Sequence, residues 1–123
     1  MRAIILAAGR GVRMKNLTEK YPKCLLKLNG KTLLDWQLGA LADAKIEEVA
    51  IVTGYKNETL FNKCRKEFHN SNWARSNMVS SLACAAEWLK AEPCIVSYSD
   101  IFYKTSAVQS LIKNESKLAI TYD

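Results

Sequence analysis

"AIILAAGRG", Ala3–Gly11, opens with six apolar residues in a row and ends in two glycines flanking Arg10. A half-exposed strand would alternate apolar with polar residues. An unbroken run of this length, stopped by glycine, suits a strand buried on both faces, as in a parallel sheet covered by helices on each side. The glycines mark a turn at its carboxyl end, where backbone N–H groups can approach phosphate oxygens closely. A plain tight turn is the simpler account of the same two residues.

The rest of the chain fits a first strand of that kind. "GKTLLDWQLGALADAK" predicts a helix capped by Thr32, with Asp35 at its third position and Leu33, Leu34, Leu38 and Leu41 inward. Val49–Thr53 predicts a second strand, ended by Gly54. Asn57–Phe68 predicts a helix with Leu60, Phe61, Cys64 and Phe68 inward, and a short strand follows near His69–Asn72. "SNMVSSLACAAEWLK" predicts one helix with Val79, Leu82, Ala83, Ala86 and Leu89 inward, broken by Pro93. "CIVSYSD" predicts a strand ending at Asp100, Ser106–Lys113 a helix, and "KLAITY" a last strand. Strands and helices that alternate at this spacing require crossovers, a mostly parallel sheet and three α/β/α layers. In such open sheets ligands bind beyond the carboxyl ends of the strands. The Gly9 loop, the Gly54–Tyr55 turn and Asp100 all fall there.

The chain has 123 residues, with 49% hydrophobic and 24% charged, which suits one globular domain with a real core. Its formal net charge is +6. Residues 1–31 carry eight cations against Glu19 alone, while the other 92 residues carry 10 basic and 11 acidic side chains. The whole excess therefore lies in the first quarter. A protein tracking a nucleic-acid backbone spreads its cations along a stripe, because each phosphate is a separate contact. A concentrated source fits a compact anion better; a solvated basic face is the bland alternative. Cys24, Cys64, Cys84 and Cys94 form no CxxC pair and His69 is the only histidine, so a zinc site lacks ligands. Cys84 and Cys94 read as small core residues. No secretory leader or membrane-length apolar run is visible, and a cytoplasmic protein with neither nucleic-acid nor membrane partners is expected.

Two familiar phosphate-loop patterns fail here. A GxGxxG fingerprint or a Walker loop starting at Gly9 needs glycine at position 14, which is Met. "GKT" at Gly30–Thr32 mimics a Walker ending, but its first glycine would fall on Leu25. The physical ingredients remain. Arg13 lies two residues past Gly11, and Lys23 follows Pro22, which stiffens the backbone before it. Arg and Lys over a glycine turn are what a triphosphate requires. Asp100 suits Mg²⁺, which takes one or two carboxylates plus phosphate oxygens. It would serve equally to cap the turn that follows it.

The pieces "LAAGRGVRM", Thr18, "YPK", "GKTLL" and "VTGY", in this order and spacing, resemble the N-terminal half of the nucleotidyltransferases that make nucleoside-diphosphate sugars and related alcohols. The resemblance implies a Rossmann-like three-layer sheet of the nucleotide-diphospho-sugar transferase type. It implies that Leu6, Ala7, Ala8 and Gly9 contact the nucleoside through the backbone, and that Gly11 and Arg13 hold the β and γ phosphates. It also implies that Lys23 stabilises charge on the α phosphate and that Asp100 binds the cofactor Mg²⁺. Lys23 and Arg13 are then the catalytic pair.

"NSNWARSNMVSSL", Asn70–Leu82, is similar to the branch of cytidylyltransferases acting on phosphocholine and 2-aminoethylphosphonate, with Asn72, Asn77 and Ser80 at matching positions. Their donors and acceptors suit cytosine. Simple helix capping by Ser76 or Asn77 is the competing reading. CTP and a small phosphorylated acceptor are the expected partners, with CMP transferred and pyrophosphate released. A sugar-1-phosphate nucleotidyltransferase and a nucleotide-binding module without catalysis are the alternatives. Family members run much longer. Residues 1–123 are therefore expected to be the nucleotide-binding half of a truncated domain, its acceptor half supplied by a further C-terminal segment or a dimer partner.

Overall fold

The computed structural model describes residues 1–10 and 20–120. The opening apolar run forms strand β1, Arg2–Ala7, in which Ala3, Ile4 and Ile5 are fully buried. Pro22 then leads into a single 3₁₀ turn, Lys23–Leu25. A two-stranded hairpin follows, β2 (Lys27–Leu28) and β3 (Lys31–Thr32). Its two-residue loop is Asn29-Gly30, both with positive φ (54° and 79°). That is the backbone hand that matches strand twist in tight hairpins. Thr32 caps helix α1, Leu33–Asp43, accepting a hydrogen bond from the Asp35 N–H at 3.1 Å. Strand β4 is Val49–Thr53, buried throughout. A 3₁₀ turn at Asn57–Leu60 and strand β5, Lys66–His69, come next. Helices α2 (Met78–Ala83) and α3 (Ala86–Ala91) lead to strand β6, Cys94–Tyr98, and helix α4, Thr105–Lys113.

The main sheet has the order β5-β4-β1-β6 and every pairing is parallel. β1 is therefore central, and consecutive side chains face opposite layers. Ala3, Ile5 and Ala7 join Leu34, Leu41 and Val108 beneath α1 and α4. Ile4, Leu6 and Ala8 join Val52, Phe68 and Ala85, with Leu82 and Trp88 of α2 and α3 packed against them. The two apolar clusters on opposite faces make the expected three layers. Burying a Leu or Ile completely contributes about 1.5–3 kcal/mol each, so this centre holds most of the fold's hydrophobic stabilisation. No helix among the described residues is long and apolar enough to cross a membrane.

Four element predictions require correction. The helix expected over Asn57–Phe68 is only the 3₁₀ turn, because Lys56 and Asn62 adopt left-handed backbone angles (φ 52° and 58°) that no helix can contain. Phe61, expected inside, is exposed. The expected strand begins earlier, at Lys66 rather than His69. The helix expected from Ser76 to Lys90 is two short helices, with Cys84 and Ala85 bonded back three residues to Ser81 and Leu82. Its inward face also differs: Val79, Ala83 and Leu89 are exposed, while Ser81 and Ala85 are buried. Residues 117–120 of the last expected strand form no strand, and 121–122 lie outside the described residues. Cys84 and Cys94 are only partly buried; Cys24 is the fully buried thiol.

Candidate functional site

The strand order reverses direction at β1. The chain runs β1 to β4 to β5 on one side and returns as β6 on the other, so the carboxyl ends of β1 and β6 form the switch point of the sheet. Leu6 pairs with Tyr98 in register, and the Ser99 N–H donates to the Leu6 carbonyl at 3.2 Å. On the other side the Tyr55 N–H donates to the Ala8 carbonyl at 2.8 Å. The Gly9 loop, the Gly54–Tyr55 turn and the Asp100 loop are therefore held side by side. Leu6, Ala7 and Ala8 are buried and Gly9 is exposed.

Lys23 reaches this point from the 3₁₀ turn. Pro22 (φ −65°, ψ 159°) sets its entry, and Cys24 beside it is fully buried in the core cluster under α1. The turn that carries the lysine is thus anchored. Lys23 Nζ lies 3.2 Å from Asp100 Oδ2, joining residues 77 positions apart. Both side chains keep contact with solvent, at 23% and 44% exposure. An ion pair this wet contributes about 0–1 kcal/mol, so it is not there for stability and parts readily. Asp100 offers one half-exposed carboxylate. That fits Mg²⁺ held partly by substrate phosphates and water. No cluster of three or more His, Cys, Asp or Glu side chains that could cage a metal occurs among the described residues.

Burial holds the Cys24 thiol pushed up to about 12 and that of Cys64 to about 11, so neither is a nucleophile at neutral pH. Gly11 and Arg13 lie outside the described residues. Asn72, Asn77 and Ser80 are exposed. Asn77 caps α2: its Oδ1 accepts from the Ser80 N–H at 3.0 Å, with Ser80 Oγ at 3.3 Å.

Three residues given no role in the sequence reading also shape the site. Arg10 places its guanidinium 5.5 Å from the centre of the Tyr55 ring, and that ring meets Trp73 edge-on at 5.2 Å. Asn70, buried, donates through Nδ2 to Ser76 Oγ (2.9 Å) and Ser81 Oγ (3.0 Å) and accepts from the Asn72 N–H. It ties the 70–81 segment to the end of β5. Gln37, fully buried in α1, donates to the carbonyls of Tyr98 (3.0 Å) and Ile101 (2.6 Å). A signal for Gln37 was present: it fills the inward slot between Leu34 and Leu41, where an apolar residue is expected.

The MobA-like NTP transferase domain matches residues 3–122. The chain belongs to that family. This transferase domain is 39% identical to a CTP:phosphoglutamine cytidylyltransferase of Campylobacter jejuni, over all of its own length and 53% of that protein. It superposes on the CTP:phosphocholine cytidylyltransferase of Streptococcus pneumoniae with a TM-score of 0.73 at 30% identity, covering 85% of this chain and 49% of that one. The inositol-1-phosphate CTP transferase of T. maritima shares the fold with a TM-score of 0.79 at 22% identity, over 94% of this chain and 49% of that one. The transferase domain thus spans about half the length of the relatives it matches.

Proposed function

We propose that this domain serves a cytidylyltransferase, moving CMP from CTP to a small phosphorylated or phosphonate acceptor. The observation that carries the reading is the Lys23–Asp100 pair at the switch point of the sheet. An acceptor oxygen attacks the α phosphorus in line. The new O–P bond forms as the bond to the β-phosphate oxygen breaks, and pyrophosphate leaves with that electron pair. The nucleophile is already an anion, so no general base is required. The protein's work is positioning and charge stabilisation.

Lys23 supplies an ammonium to the α phosphate as charge builds there. Leu6 to Gly9 contact the nucleoside through the backbone, and Gly11 and Arg13 hold the outer phosphates. Asp100 would hold Mg²⁺, which when bound neutralises the phosphates. The weak Lys23–Asp100 pair is easily exchanged for nucleotide and cation. The relatives that take CTP support cytidine as the base, with Asn72, Asn77 and Ser80 reading it.

Pyrophosphate release by the whole protein tests the reading. It is measured with Mg²⁺, each of the four NTPs, and phosphoglutamine, phosphocholine, 2-aminoethylphosphonate or a sugar 1-phosphate. Release with CTP well above the other NTPs is expected with one of the first three acceptors. Release only with a sugar 1-phosphate would redirect the acceptor class. Nucleotide binding with no release from any pair would contradict catalysis.

A further inference from the structure

We propose that Gln37 is a positioning residue that sets the Asp100 loop for cation binding, an inference that rests on the metal role given to Asp100 above. Beyond Tyr98 the sheet ladder stops, and residues 101–104 have no regular structure before α4. Carbonyls at such a point need donors. Gln37 supplies two from one amide, to Tyr98 and Ile101, which bracket Ser99 and Asp100; the Tyr98 carbonyl also accepts from Ser97 Oγ at 2.9 Å. On the opposite side the Ser99 N–H is fixed to Leu6. Asp100 is thus held between a strand and a buried side chain. Trp36, the neighbour of Gln37 on α1, adds an edge-on contact to Phe102 at 5.6 Å.

Packing alone does not account for a glutamine here. Glutamine is seldom fully buried. A leucine would fill the slot between Leu34 and Leu41 without desolvating an amide, and Gln37 Oε1 has no donor among the described residues. What the amide provides and leucine does not is the pair of bonds to the loop. α1 also packs against the 3₁₀ turn that carries Lys23, so one helix supports both members of the ion pair.

The test compares wild type, Gln37→Met, Asp100→Asn and the double variant in the whole protein. Mn²⁺ binding to the complex with a non-hydrolysable CTP analogue is titrated by electron paramagnetic resonance. The Mg²⁺ concentration giving half-maximal rate and the acceptor KM are measured alongside. Second-sphere losses of this kind weaken metal binding on the order of tenfold. Gln37→Met should therefore raise the Mn²⁺ Kd and the Mg²⁺ requirement about tenfold, leave the acceptor KM unchanged, and add nothing in the Asp100→Asn background. Should Gln37→Met not fold, Gln37→Glu, which keeps the shape and loses one or both donors, takes its place with the same expectation. Unchanged cation affinity, or the same loss in both backgrounds, overturns the role of Gln37 alone. Unchanged affinity in Asp100→Asn overturns the metal role of Asp100 first, and this inference with it.

Discussion

Lys23 and Asp100 meet across most of the chain, yet neither is held by the other. Each is fixed by what lies behind it: Pro22 and Cys24 for the lysine, Gln37 and the Ser99–Leu6 bond for the carboxylate. Gly54 shows the same closeness on the β4 side. A Cβ there would lie 2.5 Å from Trp73 Cβ and 2.6 Å from the Ala8 carbonyl. Gly54→Ala should cost about 1–3 kcal/mol through overpacking. Denaturant unfolding checks it; an unchanged midpoint would contradict this close packing. Cys24 gives a pH prediction. Its ordinary value is 9.0 and burial raises it to about 12, so the unfolded chain ionises this thiol before the folded one does. The stability it supports is complete below pH 9 and lost as pH rises toward 12. Between about pH 8 and 10.5, Cys24→Val should lose less Tm than wild type. Equal slopes would contradict the assignment.

At the scale of elements, the strands with two buried faces were legible and the edge was not. β1 and β4 announce themselves as apolar runs because helices cover both sides of the sheet. Among the described residues β5 pairs only with β4, and it buries only Phe68, so its alternation is too faint to separate from the helix-like spacing of Leu60, Cys64 and Phe68. Asn29-Gly30 carries a hairpin signal in its sequence, three residues before the more prominent cap at Thr32. The helix after Asn77 was read in the wrong phase because its inward position at Ser81 is polar, bonded to Asn70. Apolar periodicity cannot show a buried hydrogen bond. Asn77 is a cap in this fold, and a base contact remains the proposal. Asn77→Asp separates the two, since it keeps the accepting oxygen and removes the amide donors. Stability should hold while the KM for CTP rises several-fold; stability held with an unchanged KM would leave only the cap.

Over the whole molecule the sheet order does what the charge count could only suggest. Arg2, counted among the early cations, sits at the amino end of β1 and pairs with Glu48 and Glu92, away from the site. Lys31 stacks on Trp36. Lys23 and Arg10 lie at the carboxyl ends, where the family resemblance had placed a triphosphate. The charge total was visible in the sequence; which cations lie at the carboxyl ends of the strands depended on strand register, which composition does not encode. The most direct test is the rate of CMP transfer at saturating CTP and acceptor, wild type against Lys23→Ala, with near-ultraviolet circular dichroism confirming an intact fold. Loss of one preorganised charge on the transition state predicts a fall of about 10²–10³-fold in kcat with little change in the KM for CTP. A rate within twofold of wild type would contradict the account.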